Sequence, residues 1–339
     1  MNPVVRSGSA VFAALGLAAV LSCVGTQQAP APLTPVQSRM REDLAYLASA
    51  RLGGRLAGTP GNDSAAAFIV RRYEDLGLIG PFSGNTCGME SCGPGFLQAF
   101  RISLWAAERV DIPIDRNSQN VAAVVTGTDS VLRQEYVVVG AHYDHIGRSH
   151  SLALDASAFR AIHPGADDNA SGTSAVLELA RRFATRPARR SVLFVNFSAE
   201  ELGLVGSAVF LDNSPVPINS MVTMVNLDMV GRLRGNQMIL FSGEDNGRFR
   251  IIADSVEHIP PVEEFRLGWQ SIMAALSDHV SFAKAHVPTI GLFTDYHPDY
   301  HRPGDTVDRI NFEGLEKIVD FTERLVRAVA DGNEVPGRR

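Results

Sequence analysis

Apolar residues recur along the chain in two patterns, and together these predict helices interleaved with buried strands. In some segments they recur every three or four positions, as in an amphipathic helix. Other segments are short continuous apolar runs, typical of strands covered on both faces. The predicted helices cover residues 38–48, 64–76, 173–186 and 312–330, and the predicted strands cover residues 120–127, 135–142, 191–198, 221–230 and 288–294.

This order of elements predicts a single fold class. Strands that alternate with helices form a mainly parallel sheet with helices packed on both of its faces. The predicted fold is therefore α/β, a three-layer α/β/α sandwich around a mixed, mainly parallel central sheet. Residues 38–332 are expected to form one domain, and residues 333–339 a short tail.

The N-terminal segment differs in composition from the rest of the chain. Arg6 is followed by an apolar run over residues 10–21 that is too short to span a bilayer. Residues 1–22 are therefore predicted to be a signal peptide. Because "VLSC" resembles a bacterial lipobox, Cys23 is expected to carry a lipid anchor, with residues 23–37 as a tether. Simple cleavage of the signal is the alternative.

Export has two consequences for the expected state of the protein. The chain is predicted to be a periplasmic or cell-envelope lipoprotein, or else secreted, and to meet a membrane only through the lipid on Cys23. Oxidising conditions favour a local disulfide between Cys87 and Cys92 over a metal site, because no histidine lies near them in the sequence. The net charge of −6, without a long basic run, argues against a nucleic-acid partner.

Acidic and imidazole side chains follow the predicted strands at the points where the strands end. Any one of them alone would be an ordinary helix cap or a solvated helix start. The carboxyl ends of parallel strands meet at one edge of a sheet, so together these side chains predict a functional site. They are His142 and Asp144, Asp167 and Asp168 in "GADDNASG", Glu200 and Glu201, Asp228, and Tyr300 with His301.

Four carboxylates crowded into one cleft require compensating positive charge. Two unit charges about 4 Å apart repel by roughly 4 kcal/mol at an effective dielectric constant near 20. Two divalent cations would remove this conflict, and a mixture of imidazole and carboxylate ligands suits zinc. The sequence therefore predicts two zinc ions, with Asp167 bridging them through one oxygen each and Asp168 holding the turn.

The order of motifs HxD, GADDNASG, SAEELGLxGS, NLDMVG and YH resembles metallopeptidase family 28. That family comprises co-catalytic zinc aminopeptidases and relatives of glutamate carboxypeptidase II. The resemblance covers most of the chain, from "RLGGRLAGTPGN" to "HRPGDT". It implies a zinc-peptidase fold and an exopeptidase, most simply an aminopeptidase that hydrolyses the N-terminal bond of peptide substrates.

The resemblance also implies a role for each site residue. Glu200 would be the general base, Asp144 would fix the tautomer of the ligand histidine, and Tyr300, or else Tyr296, would stabilise the oxyanion. The Asp167–Asp168 peptide bond is expected to be cis, and Asp278 and His279 are expected to start a helix beside the site. The implied zinc ligands are His142 with Asp228, Glu201 with His301, and Asp167 between the two ions.

Other functions make different demands on the sequence. A glutaminyl cyclase-like transferase on this scaffold would use one zinc, whereas the aspartate pair and both histidines favour two. A serine hydrolase needs a GxSxG motif, which is absent, and a non-catalytic binding module would be expected to have lost ligands. A carboxypeptidase on the same scaffold would need a cationic pocket, for which the candidates are Arg232, Arg234 and Arg266.

The segment "EEFRLGWQSIM" supplies candidates for the first substrate pocket. Its apolar side chains are Phe265, Trp269 and Met273. Ordinary core positions are the alternative for all three residues.

Overall fold

The computed structural model describes residues 1, 32–82, 95–155, 157, 159–243, 247–257, 265–274, 276–333 and 335–336. Residues 2–22 of the predicted signal peptide, Cys23, the Cys87–Cys92 pair and the last three residues lie outside this part of the chain, and the predictions about them stay predictions. Within the described residues, none of the helices is both long and apolar enough to cross a membrane.

Eight strands and eight α-helices make up the described fold. The strands are β1 (Leu97–Arg101), β2 (Asn117–Val125), β3 (Tyr136–His142), β4 (Ser191–Phe197), β5 (Met221–Leu227), β6 (Gln237–Ser242), β7 (Arg266–Ser271) and β8 (Thr289–Phe293). The helices are α1 (Pro35–Leu47), α2 (Pro60–Asp75), α3 (Leu104–Ala107), α4 (Gly172–Thr185), α5 (Val205–Asp212), α6 (Gly247–Glu257), α7 (His279–Lys284) and α8 (Phe312–Ala330).

The strands form one open mixed sheet in the order β1-β2-β4-β3-β5-β8-β6-β7. The four central strands β4, β3, β5 and β8 are mutually parallel, whereas β2 pairs antiparallel with β4 and β6 pairs antiparallel with β8. Helices cover both faces, so the predicted fold class is confirmed. The carboxyl ends of the four central strands lie at one edge, where the candidate residues follow them.

The two helical layers explain why the central strands are continuous apolar runs. In β3, Val137 and Val139 belong to the core under α1, α2, α4 and α8, whereas the intervening Val138 belongs to the core under α5 and α7. The second core includes Phe197, whose ring centroid lies 5.9 Å from that of Phe282. Burying an apolar side chain of this size stabilises the fold by about 1.5–3 kcal/mol.

Helix α1 begins earlier than residue 38, where the apolar periodicity places its start. Thr34 caps the helix, because its hydroxyl accepts from the Gln37 amide and the Gln37 side chain accepts from the Thr34 amide. This reciprocal capping box satisfies two amide donors that have no partner within the helix. Pro35 then occupies the first turn, where its missing N–H costs nothing.

Candidate metal centre

The central strands deliver their polar side chains into one cavity. His142 is the last residue of β3, Asp228 follows β5, and the Glu200–Glu201 pair follows β4 after a short turn. The loop after β8 contributes Tyr300 to the lining. The predicted convergence on the carboxyl edge of the sheet is therefore found in the structure.

His142 lies at the centre of a first cluster. Its Nε2 atom is 3.3 Å from Asp168 Oδ1, 3.5 Å from Asp228 Oδ1 and 3.9 Å from Glu200 Oε2. Its Nδ1 donates to the backbone carbonyl of Asp144 at 3.2 Å, so that in the neutral imidazole the lone pair is on Nε2, toward the cluster. The ligand atoms of His142, Glu200 and Asp228 are close enough together to hold one metal ion.

His301 lies at the centre of a second cluster. Its Nε2 atom is 3.2 Å from Asp168 Oδ2 and 3.2 Å from Glu201 Oε2. Its Nδ1 donates to the Leu152 carbonyl at 2.9 Å, which fixes the same tautomer as in His142. His145, which sequence analysis missed, joins this cluster with its Nδ1 2.7 Å from Glu201 Oε1.

The carboxylate between the two clusters belongs to Asp168, which corrects the predicted position by one residue. Asp168 directs Oδ1 to His142 and Oδ2 to His301. Asp167 faces away, because its carboxylate accepts from the Gly231 amide at 2.6 Å and lies 3.2 Å from His297 Nε2. The cis peptide bond is Asp168–Asn169 rather than Asp167–Asp168.

Two charged residues outside the predicted set hold the Asp168 turn. Asp305 Oδ2 accepts from the amides of Asp167 and Asp168 at 2.9 and 3.1 Å, and Arg232 pairs with the other Asp305 oxygen at 2.9 Å. Arg55 is fully buried, and its hydrogen bonds within the described residues go to backbone carbonyls. Burial lowers the pKa of Arg55 to about 10, although Asp168 and Asp144 act in the opposite direction, so it stays cationic at neutral pH.

The carbonyls bound by Arg55 come from three separate parts of the chain. They belong to Leu47, Tyr143, Pro164, Gly165 and Asp168. In the sequence, the motifs "RLGGRLAGTPGN" and "HRPGDT" contain Arg55 and Asp305, but nothing in them indicated that these two residues hold the turn.

Asp144 supports the site differently from the predicted way. Its carboxylate lies 3.7 Å from His142 Nδ1, farther than its own backbone carbonyl. Instead, Oδ1 accepts from the Glu200 amide at 3.1 Å, and Oδ2 lies 3.4 Å from the Glu201 amide nitrogen. Asp144 is thus a positioning residue that ties the glutamate turn to the end of β3.

The cavity shifts its titratable groups in opposite directions. Burial raises the pKa of Glu200 well above its usual range, and the nearby carboxylates of Glu201 and Asp278 add to this effect. Burial lowers the pKa of His301, but Glu201 and Asp168 outweigh it and raise the pKa to about 12. The carboxylates therefore stabilise positive charge strongly at the positions where a cation would bind.

The two candidate oxyanion donors line the same wall of the cavity. The ring centroids of Tyr296 and Tyr300 lie 5.0 Å apart, and Tyr300 packs against His301 at 4.0 Å. Burial and the carboxylates of Asp168 and Glu201 raise the pKa of Tyr300, so its hydroxyl stays protonated and able to donate. Tyr300 is the more enclosed of the two, since Tyr296 is 53% exposed.

The predicted substrate-pocket residues lie elsewhere. Phe265 is buried in the main core, Trp269 on β7 packs under Arg250, and Met273 is exposed. The apolar lining of the cavity instead comes from β5, β6, β8 and the residues around them, and consists of Met229, Phe241, Leu276, Leu292 and Phe293. By contrast, α7 begins at His279 with Asp278 buried before it, as expected for a helix start beside the site.

Known proteins share both this sequence pattern and this fold. The chain is 28% identical over 301 residues to aminopeptidase YwaD of Bacillus subtilis (strain 168), covering 84% of this chain and 60% of that protein. It is 27% identical over 240 residues to the uncharacterized protein YfbL of Escherichia coli (strain K12), covering 62% of this chain and 71% of that protein. The chain thus spans about 60% of the length of YwaD.

Solved structures share the architecture at lower sequence identity. An aminopeptidase from Aneurinibacillus sp. strain AM-1 superposes with a TM-score of 0.65 and 19% identity, covering 88% of this chain and 95% of that one. A leucine aminopeptidase precursor from Bacteroides thetaiotaomicron VPI-5482 gives a TM-score of 0.68 at 16% identity, covering 88% and 97%. The model of peptidase family M28 matches residues 120–326, a span that contains both clusters and most of the chain, and the protein therefore belongs to this family.

Proposed function

We propose that this protein is a zinc-dependent aminopeptidase that holds two zinc ions and removes the N-terminal residue of peptides. The observation that carries the proposal is the position of Asp168, which offers one carboxylate oxygen to each cluster. The family membership and the relatives named aminopeptidases support the same reaction.

The distances between candidate ligand atoms fit zinc. With bonds of 2.0–2.1 Å in tetrahedral geometry, two ligand atoms lie about 3.3 Å apart. The histidine–carboxylate distances to Asp168, Asp228 and Glu201 range from 3.2 to 3.5 Å. One ion would thus be held by His142, Asp228 and Asp168, and the other by His301, Glu201 and Asp168. Three protein ligands at each ion are typical of catalytic rather than structural zinc.

Glu200 is left to act as the general base. Its Oε2 atom lies 3.9 Å from His142 Nε2, farther than the ligand spacing above. When bound, the two ions would supply Lewis-acid chemistry that polarises the scissile carbonyl and lowers the pKa of water. Glu200 accepts the proton of the attacking water and delivers it to the leaving amine, a task suited to a carboxylate with a raised pKa. Tyr300 donates to the carbonyl oxygen as negative charge develops on it.

Aminopeptidase activity fits the charges of the cavity better than carboxypeptidase activity. Among the described lining residues there is neither an arginine nor a lysine to bind a substrate carboxylate. Arg232 is paired with Asp299 and Asp305, and Arg234 donates to the Tyr296 carbonyl at 2.9 Å. The carboxylates of the cavity are instead suited to the free ammonium group of an N-terminal residue.

Metal analysis combined with substrate blocking tests this function. We expect two zinc ions per chain, loss of aminoacyl-nitroanilide hydrolysis on chelation, and recovery on adding zinc. We also expect N-acetylated peptides to resist hydrolysis, because they lack the ammonium group. Full activity after exhaustive chelation, or equal hydrolysis of blocked and free peptides, would refute the proposal.

Export as a lipoprotein is a separate part of the proposal. It is supported by the composition of residues 1–23. Mass spectrometry of the mature N-terminus should find a diacylglyceryl group on Cys23, and a Cys23→Ser variant should be released from membranes. An unmodified N-terminus at another residue would contradict the anchor.

A further inference from the structure

His145 has no role in the mechanism above, yet it is buried beside the second cluster. Its ring meets that of His301 edge to face, with centroids 5.4 Å apart. Gly165 also packs against the imidazole, because a Cβ atom added there would come within 2.5 Å of the His145 ring. The imidazole is therefore wedged in one orientation between the Gly165 backbone and the cluster.

The distances around His145 indicate a hydrogen bond rather than a shared metal ion. Its Nδ1 atom lies 2.7 Å from Glu201 Oε1, a normal length for an N–H donor to a carboxylate. Two ligands of one tetrahedral zinc would lie about 3.3 Å apart. The distance from His145 Nδ1 to Asp168 Oδ2 is 3.7 Å, longer than that spacing.

The two oxygens of Glu201 consequently have different partners. Oε1 faces His145, whereas Oε2 lies 3.2 Å from His301 Nε2. A carboxylate whose Oε1 is held in this way would have only Oε2 free to bind an ion held beside His301. Without the imidazole, a buried carboxylate oxygen would lose its donor and the side chain would lose its fixed orientation.

Building on the proposed di-zinc function, we propose that His145 is a positioning residue that orients Glu201 through an Nδ1–H···Oε1 hydrogen bond without binding zinc itself. The rival arrangement makes His145 a fourth protein ligand. It would close the second site with two histidines and two carboxylates, as in a structural zinc centre.

Two substitutions separate these arrangements. In His145→Asn the side-chain amide takes the place of Nδ1 and keeps a donor toward Glu201, whereas His145→Ala removes the donor. We expect His145→Ala to weaken zinc binding at one of the two sites by about 10–100-fold, the usual effect of losing such a partner. We expect His145→Asn to stay within about threefold of the wild-type affinity.

Zinc affinity is measured by competition with a chromogenic chelator, with His150→Ala as a control for histidine loss outside both clusters. Cobalt-substituted protein adds a readout independent of activity, since its visible spectrum should be the same in wild type and His145→Asn. If both variants bound zinc equally weakly and the cobalt spectrum of His145→Asn were altered, His145 would be a fourth zinc ligand and the proposal would be wrong. Unchanged affinity in His145→Ala would also overturn it.

Two further outcomes are a His145→Ala variant that does not fold and a wild-type protein that binds too little zinc. If His145→Ala does not fold, His145→Gln replaces it, because its amide lies one bond farther out and cannot reproduce the Nδ1 donor. Wild-type protein that binds fewer than two zinc ions would contradict the proposed function itself, whatever the variants do.

Discussion

Asp278 offers a test of the cavity electrostatics that does not depend on activity. The residue is completely buried just before α7. Burial raises the pKa of its carboxyl to about 7, and the carboxylates of Asp144 and Asp228 add to the effect, while His142 and the Ser207 hydroxyl offset part of it. An unfolded chain has the ordinary aspartate value near 3.9.

The sign of the stability effect follows from these two values. Between pH 3.9 and about 7 the folded protein binds a proton that the unfolded chain has released, so rising pH destabilises the fold. Each pH unit in this window costs roughly 1.4 kcal/mol. From pH 5 to pH 8 the folded state should therefore lose about 3 kcal/mol through this group, and nothing further above that pH.

The Asp278→Asn variant has no carboxyl group at this position, so it should not show this pH-dependent loss of stability. In chelated, metal-free protein, its free energy of unfolding should rise relative to that of wild type by about 3 kcal/mol between pH 5 and pH 8. Urea unfolding at four pH values measures the difference, with exposed Asp75→Asn as the matched control. A difference that stays constant with pH would show that Asp278 is ionised across the range and would refute the reasoning. Bound zinc should shrink the effect, because nearby cations favour the carboxylate.

Three other predictions concern the site directly. Asp168→Asn should lose zinc from both clusters while Asp167→Asn keeps it, as measured by zinc per chain after dialysis; the reverse result would restore the original assignment. Glu200→Gln should lower kcat by about 10²–10⁴-fold with zinc content unchanged, so normal turnover would remove Glu200 from the mechanism. Gly291→Ala would place a Cβ atom 3.1 Å from His279 Nδ1 in the cavity wall. Because the added methyl group narrows the cavity, it should lower kcat/KM for leucyl substrates more than for alanyl substrates. An equal effect on both would show that the substrate side chain binds elsewhere.

The central sheet was predictable because its strands are buried on both faces and therefore read as apolar runs. β1, β6 and β7 were not predicted. β1 and β7 keep exposed positions at both of their ends, which weakens any such signal. Because β6 was not predicted, its residue Phe241 was not expected in the cavity wall. The apolar segment around Trp269 was instead assigned to the pocket.

The site residues were predictable as a group but not individually. Asp167 and Asp168 are neighbours of the same type, and only the backbone of the turn decides which carboxylate enters the cavity. His145 carries no signal of its own in "HYDHIG", because its role depends on a contact with Glu201, far away in the sequence. Arg55 was missed for the same reason, since its partners are carbonyls that any residue type can supply.

The buried guanidinium of Arg55 also determines how much of the chain a minimal metal-binding fragment needs. It gathers the end of α1, the end of β3 and the backbone of the Asp168 turn around one positive charge. A fragment limited to residues 120–326, the span that the family model matches, would contain every proposed zinc ligand but would lack Arg55, which binds the backbone of that turn. The proposed zinc ligands and the arginine that holds their turn in place thus lie far apart in the sequence. Truncating the chain from its N-terminal side past Arg55 should therefore weaken zinc binding before any ligand is removed.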